Sequence, residues 1–146
     1  PLAPNVTTPN VGPFSLLYGV GSSAGEFNLV YCEEANIVSG GPWAIDLTNT
    51  LDPQDEFLAF NYLCGGILLN LDPEAGHDLT LQGGTSNPLF SYSFPALGGS
   101  SQQDGITAFN SSNPGWLVDG THKTLKVTTP VAGSGGVNFI LVLWGR

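Results

Sequence analysis

Two short segments combine residue types that suit ligand binding, because in each of them a tryptophan precedes an aspartate by three positions. The pairs are Trp43 with Asp46 and Trp116 with Asp119. A tryptophan ring can stack on the face of a sugar ring, and an aspartate can accept hydrogen bonds from hydroxyl groups. Core tryptophans, each followed by a tight turn, are the alternative interpretation. We predict ligand binding by these four residues.

Two acidic segments are the other candidates for chemistry. Residues 72–78 hold three carboxylates and His77, a set of ligands that suits a divalent metal ion. Asp52, Asp55 and Glu56 suit a calcium site or a glycoside hydrolase, whose two carboxyl groups lie about 5 Å or about 6.5–9.5 Å apart. A solvated acidic loop is the interpretation we favour for both segments. We therefore predict no metal site and no catalytic residue.

Motifs typical of enzymes support the same prediction by their absence from the sequence. The chain lacks a phosphate-binding loop, the His-Glu-x-x-His zinc motif and paired Cys-x-x-Cys motifs. Its two histidines, His77 and His122, are too few for a histidine-rich metal centre. We expect a protein that is not an enzyme and that uses no cofactor.

The charge of the chain restricts its partners. Aspartate and glutamate number 12 against 3 lysines and arginines, which gives a net charge of −9. Such a chain repels nucleic acid phosphates and anionic membranes. Charged residues make up only 10% of the chain, against about 25% in typical domains, so neutral polar residues must cover the surface. We expect carbohydrate or a cell-wall polysaccharide as partner, no nucleic acid and no membrane; a homo-oligomer is left open.

Several features predict a secreted glycoprotein. Asn5 and Asn110 each begin an Asn-x-Ser/Thr sequon, the acceptor for N-glycosylation. The chain begins with Pro1 rather than methionine, as expected of a mature chain after removal of a signal peptide. Cys32 and Cys64 are predicted to form a disulfide that closes a loop of about 30 residues, worth roughly 3–4 kcal/mol. Two buried free thiols are the alternative.

Alternation of apolar and polar residues predicts β-strands throughout. Phe90, Tyr92 and Phe94 alternate with serines, and Leu125 and Val127 alternate with polar residues. Glycine- and proline-rich turns separate about ten to twelve such segments. The stretch 137–144 is apolar at nearly every position, so we expect a central strand buried on both faces.

The strand count predicts an all-β fold of antiparallel strands, with a β-trefoil-like barrel as the first choice and a β-sandwich or jelly roll as the alternative. Residues 1–13 contain four prolines and are predicted to form an extended arm, followed by a single all-β domain over 14–146. Only residues 53–64 combine helix-start signals with strand-forming aromatics, and both assignments stay open there.

Short motifs in the second half of the chain carry a resemblance to a known family. They are Gly66-Ile67-Leu68-Leu69, Gly115-Trp116-Leu117-Val118-Asp119, Leu125 and Leu143-Trp144. With these motifs, the stretch from Phe60 to Trp144 resembles the secreted phialide cell-wall proteins of filamentous fungi. The resemblance implies a non-enzymatic, extracellular or wall-associated fungal glycoprotein, and it implies no catalytic residues.

The favoured function is therefore that of a secreted, non-enzymatic, carbohydrate-binding or cell-wall-associated β domain. Two other functions stay open. The first is a secreted effector, immunomodulator or inhibitor that acts by protein–protein contact. The second is a hydrolase that uses one of the acidic clusters.

Overall fold

The computed structural model describes residues 19–21, 26–38, 41–51, 55–99, 105–111, 114–130 and 136–146. All of the regular secondary structure in these ranges is β-strand, as the alternating pattern predicted. None of the described residues belongs to a helix long and apolar enough to cross a membrane. The predicted arm over 1–13, including Asn5, lies outside the described residues.

Thirteen strands are present in the described ranges, close to the ten to twelve expected. In chain order they are β1 (Gly19–Val20), β2 (Glu26–Phe27), β3 (Leu29–Ile37), β4 (Trp43–Asp46), β5 (Thr50–Leu51), β6 (Phe57–Leu58), β7 (Tyr62–Asn70), β8 (Leu79–Gly83), β9 (Ser93–Ala96), β10 (Ile106–Asn110), β11 (Trp116–Leu117), β12 (Thr124–Thr128) and β13 (Val137–Gly145).

Two main sheets contain most of these strands. The large sheet has the order β10-β7-β13-β3, with β11 also paired to β7, and the small sheet has the order β4-β12-β8-β9. Every pair within these two sheets is antiparallel, as predicted. Two minor pairs complete the set, of which β5–β6 is antiparallel and β1–β2 is parallel. In the described part of the chain neither main sheet closes on itself, so the trefoil-like barrel is not confirmed.

The hydrophobic core lies between the two main sheets. Strand β13 buries every second side chain, and Leu141 and Leu143 have no exposed surface. The small sheet contributes its own buried leucines and valines to the same cluster. Ring contacts join the sheets directly, because Phe94 of β9 stacks on Phe109 of β10 with centroids 4.7 Å apart. One-sided burial of each sheet thus explains the period of two in the sequence.

Strand β13 is central, as predicted, because it pairs with β3 on one side and β7 on the other. The predicted burial of both faces is found only near the end of β13. Asn138 is exposed and Val142 is half-buried, whereas Trp144 is buried. The Trp144 ring lies across Gly65, where an added Cβ atom would come within 2.6 Å of it. Only glycine fits at position 65, because the Trp144 ring approaches the backbone closely there.

Strand β3 ends the large sheet in the order of the described strands, and one side chain protects this edge. Glu33 lies on the inward side of β3, between buried Tyr31 and half-buried Ala35. Partial burial raises the pKa of the Glu33 carboxyl above 4.5. A charge that points inwards from an edge strand makes pairing with another chain costly, so Glu33 opposes edge-to-edge aggregation.

The helical alternative for residues 53–64 is wrong in the part of this segment that the structure describes. Asp55 has φ 62°, a left-handed conformation that no right-handed helix contains. Phe57–Leu58 then forms β6, and Tyr62 begins β7. Cross-strand pairing of the aromatic residues prevails over the local helix-start signals.

The predicted disulfide is also wrong, because neither Cys32 nor Cys64 forms a disulfide bond. Cys32 is exposed on β3, Cys64 is buried on β7, and β13 lies between these two strands. Neighbouring strands are about 4.8 Å apart, so strands separated by a third exceed the roughly 7 Å between Cα atoms that a disulfide allows. The spacing of the cysteines in the sequence contains no information on this strand order.

The different surroundings of the two thiols predict different reactivity. Burial raises the pKa of the Cys64 thiol above 9.0, which lowers its thiolate fraction, whereas Cys32 is open to solvent. We expect a thiol reagent such as DTNB to titrate one thiol in the native protein and two after denaturation. A native protein with no reactive thiol, or a melting temperature that falls on addition of reductant, would contradict this arrangement.

Candidate functional site

The two tryptophan–aspartate segments end in the same turn. Asp46 Oδ1 accepts hydrogen bonds from the backbone nitrogen and the hydroxyl of Thr48, at 2.9 and 2.6 Å. Asp119 Oδ1 accepts the equivalent bonds from Thr121, at 2.7 and 2.9 Å. Aspartates that bond to the backbone two residues ahead stabilise turns. The repeated sequence pattern therefore encodes a repeated turn, which employs one carboxylate oxygen of each aspartate.

The remaining contacts of these aspartates are also local. Lys123 Nζ lies 2.6 Å from Asp46 Oδ2. Burial disfavours the charged form of Asp46, but hydrogen bonds from Lys123 and Thr48 outweigh it and hold the pKa below 3.8. For Asp119, hydrogen bonds from the backbone and hydroxyl of Thr121 lower the pKa to about 2. Both side chains are therefore anionic at neutral pH and oriented by the fold.

Trp116 belongs to an aromatic cluster formed by Phe90, Tyr92, Phe94, Phe109 and Trp116. Phe90 is at its centre, with ring centroids 5.1 Å from Trp116, 5.6 Å from Phe94, 6.1 Å from Tyr92 and 6.2 Å from Phe109. Strands β9, β10 and β11 supply three of these rings, so the cluster contains residues of both main sheets. Trp116 is half-buried and packs against the core.

Tyr92 is the one member of the aromatic cluster whose ring is mainly exposed, at 60%. The sequence pattern placed it inwards with Phe90 and Phe94, and that placement is wrong. Residues 90–92 precede β9, which begins at Ser93, so strand alternation does not yet apply to them. Exposed Ser91 and Ser93 flank the ring. A flat ring with a hydroxyl group is thus presented among small polar residues.

Backbone hydrogen bonds fix the loop that leads to Tyr92. The carbonyl of Asn87 accepts from the backbone nitrogens of Lys123 and Thr124, both at 3.0 Å. The Thr124 carbonyl in turn accepts from Gly84 at 2.9 Å and Leu89 at 3.0 Å. The loop over 84–89 is therefore anchored to the start of β12, and Tyr92 follows this anchored loop by three residues.

Trp43 does not join Trp116. It is half-buried, and its ring meets Phe139 edge-on at 5.5 Å, near the beginning of β13. Trp116 pairs with Leu63, whose partner Gly145 lies at the other end of β13. Six residues of strand separate these positions, which corresponds to roughly 20 Å. The four residues predicted to bind a ligand thus occupy two regions, and only the turns that contain the aspartates are neighbours.

The acidic segments occupy two exposed loops. Asp55 and Glu56 are exposed between β5 and β6, and Asp52 lies outside the described residues. In the loop after β7, Asp72, Glu74 and His77 lie together. The Asp72 carboxylate, 3.0 Å from Nδ1, favours the protonated imidazole and raises the pKa of His77 above 6.5. This second group brings a histidine between carboxylates.

The second predicted glycosylation site lies at the end of β10. Asn110 is exposed there, and Ser112, which completes its sequon, lies outside the described residues. Glycosylation of Asn110 stays a prediction.

Comparison of the chain with known protein families, with curated proteins and with solved structures finds no match. Any assignment of function therefore rests on the chain's own residues.

The aromatic cluster predicts unequal effects of two neighbouring substitutions on stability. Phe90→Ala removes a buried ring that contacts four others, so we expect it to lower the free energy of unfolding by about 3–5 kcal/mol. Tyr92→Ala removes a mainly exposed ring, with an expected cost below about 1 kcal/mol. Urea denaturation of the two variants measures both values. Equal losses would show that Tyr92 is a core residue.

Proposed function

We propose that the protein is a secreted, non-enzymatic domain that binds carbohydrate through Tyr92 and the aromatic cluster behind it. The supporting observation is the Tyr92 ring, which is 60% exposed although it belongs to an otherwise buried or half-buried cluster. An aromatic ring held in place by other rings offers apolar contact area without a large loss of conformational freedom on binding. The C–H groups on one face of a sugar match such a surface.

Exposed polar residues of the segment that contains Tyr92 suit the hydroxyl groups of a sugar. Ser86, Asn87, Ser91 and Ser93 are exposed around the anchored loop and can donate and accept hydrogen bonds. The net charge of −9 disfavours anionic polysaccharides, so the ligand we propose is a neutral one. The resemblance to fungal phialide cell-wall proteins supports a polysaccharide of the cell wall, and the two sequons support secretion.

The residues predicted from the sequence have different places in this proposal. Trp116 stays part of the binding surface, because its half-buried ring packs on Phe90, which in turn contacts Tyr92. Asp119 follows it in an exposed turn. Trp43 and Asp46 lie on β4, and we assign them a supporting role in the fold.

We also propose that the two main sheets are the layers of a β-sandwich. The ring contact between Phe94 and Phe109 supports this arrangement, as does that between Trp43 and Phe139, because each pair joins the small sheet to the large one. Aligned sheets with a shared apolar interior are the usual form of such a fold.

Substitution of Tyr92 tests carbohydrate binding. We expect the protein to bind insoluble chitin or β-glucan in a pull-down assay, and Tyr92→Ala to weaken this binding at least about tenfold through loss of the stacking surface. Phe57→Ala is a matched control, because Phe57 is also 60% exposed but lies on β6 outside the aromatic cluster. Equal binding by the Tyr92 variant and the wild type, or no binding of wild type to either polymer or to a glycan array, would refute the proposal.

One observation favours protein–protein contact as a second candidate function. The outward face of the large sheet presents apolar side chains in two rows across three strands. These rows are Ile106, Leu69 and Ile140, and next to them Ala108, Ile67 and Val142. All six are exposed or half-buried. Such rows of apolar side chains are typical of interaction surfaces, and a second copy of this chain is the partner we propose for them.

A lysine on this face tests the second candidate. We expect wild type to form dimers at micromolar concentration in sedimentation equilibrium, and Ile106→Lys to weaken the dimer at least about tenfold by placing a charge in the contact. Leu51→Lys, which adds the same charge on exposed β5, serves as the control. A monomeric wild type would refute this use of the outward face.

A further inference from the structure

The loop between β7 and β8, residues 71–78, is fixed by one buried side chain. Asn70 is 8% exposed. Its Nδ2 donates to the carbonyl of His77 at 2.8 Å and to that of Ala96 at 3.1 Å, and its Oδ1 accepts from the backbone nitrogen of Asp72 at 2.9 Å. A single amide therefore sets the backbone at the two residues, Asp72 and His77, whose side chains meet above the loop.

Further hydrogen bonds complete the loop and leave its metal-binding atoms unused. Asp72 Oδ1 accepts from the backbone nitrogen of Glu74 at 2.9 Å, and the Glu74 carbonyl accepts from His77 at 3.2 Å. The backbone nitrogen of Gly99 donates to the Asp72 carbonyl at 3.2 Å. These bonds fix the backbone of the loop and use one Asp72 carboxylate oxygen, so that the second Asp72 oxygen, the Glu74 carboxylate and the His77 ring contact one another.

The three side chains form a compact group of donors. His77 Nδ1 lies 3.0 Å from Asp72 Oδ2, and His77 Nε2 lies 3.4 Å from Glu74 Oε2. One ligand atom of each residue lies within 4.8 Å of the other two. Two ligands that bind one tetrahedral ion at about 2.1 Å are about 3.4 Å apart, so Asp72 Oδ2 and His77 Nδ1 already have a suitable spacing, and Glu74 is the ligand that has to move.

The His77 ring supplies an independent indication of a missing ligand. Nδ1 is shielded from solvent and makes no hydrogen bond to any described residue. Its 3.0 Å separation from Asp72 Oδ2 is that of an ion pair, but the direction is not that of a hydrogen bond. A buried ring nitrogen that faces a carboxylate without bonding to it is satisfied when both atoms bind the same cation.

The charge around Asp72 favours a cation as well. The Asp72 side chain is only 12% exposed, and its ion-pair partner among the described residues is His77, which is charged only when protonated. Among the described residues, the ion pairs of lysine and arginine lie away from Asp72; Lys123, for example, pairs with Asp46. At neutral pH a divalent ion would therefore compensate a sheltered carboxylate and a second one, Glu74.

We propose that Asp72, Glu74 and His77 bind one divalent transition-metal ion, for which Zn²⁺ and Mn²⁺ have the right ligand preferences. One imidazole nitrogen and two carboxylate oxygens are common ligands of both ions, and water completes the coordination. Glu74 Oε2 lies 3.4 Å from the other ring nitrogen, Nε2, so the exposed Glu74 side chain must turn towards the Nδ1 side of the ring to bind the same ion. The ion locks the 71–78 loop onto Gly99, independently of any carbohydrate bound at Tyr92.

The chain contains a matched pair that lacks the third ligand. Asp119 and His122 have the same type of contact, with Oδ1 and Nδ1 3.2 Å apart. His122 is more exposed than His77, and its Nδ1 also contacts the hydroxyl of Thr121 at 3.0 Å. Within the described ranges the Asp72, Glu74 and His77 group is the only one that meets the geometric requirement for three ligands.

Isothermal titration of the full chain with ZnCl₂ and with MnCl₂ tests the proposal. The chain should carry Cys32→Ser, because an exposed thiol binds zinc by itself. We expect one saturable site, at least about tenfold weaker binding in Asp72→Asn and in His77→Gln, and unchanged binding in the double variant Asp119→Asn with His122→Gln. X-ray absorption of the zinc-loaded protein should show one nitrogen and at least two oxygen neighbours.

Glu74→Gln makes the test independent of folding, because its side chain is 72% exposed and the circular dichroism spectrum should not change. This variant should also weaken the metal affinity. No saturable binding of either ion by wild type, or equal affinity in wild type and Glu74→Gln, would overturn the proposal. Loss of binding in the Asp119/His122 variant would place the ion at the other pair and would overturn it too.

Discussion

The burial of the inward side chains of β13 against the small sheet is the interaction on which the rest of the structure depends. β13 pairs along its length with both β3 and β7, and Leu141 and Leu143 fill the space between the sheets. Loss of one such leucine typically costs about 2–5 kcal/mol, against a total stability of about 5–15 kcal/mol for most domains. Both candidate sites lie on connections whose ends are held by strands in this core, the aromatic loop before β9 and the acidic loop after β7.

Local spacing in the sequence predicts the strands but not their order. The alternation at Leu125 and Val127 predicted β12, and the apolar stretch 137–144 predicted β13 almost to the residue. The disulfide prediction failed because β13, from the end of the chain, inserts between the strands of Cys32 and Cys64. The helix-start signals near Asp55 are equally local, and pairing between β5 and β6 overrides them.

The predictability of the two sites differs for the same reason. The ligands of the proposed metal site fall within six residues, so the sequence alone showed their proximity, although a solvated loop was the favoured interpretation. The aromatic cluster assembles from three separate segments of chain, and its exposed ring, Tyr92, was placed inwards by extending strand alternation beyond β9. For Trp43 and Trp116, the pattern showed a shared turn but not the core contacts that separate the two rings.

The acidic composition of the chain has a structural use beyond its net charge. Asp46, Asp72 and Asp119 each accept a hydrogen bond from a backbone nitrogen two residues ahead, and each has a pKa below its ordinary value. A carboxyl group whose pKa is lower in the folded protein than in the unfolded chain stabilises the fold at a pH above its unfolded-state pKa. This stabilisation is lost as the pH falls through the pKa of the folded state. Glu33 has the opposite effect on the pH dependence of stability, because its raised pKa means that protonation of its carboxyl group favours the folded state. The turns that shape the surface therefore depend on carboxylates staying charged, while the edge of the large sheet keeps its charge at some cost in stability.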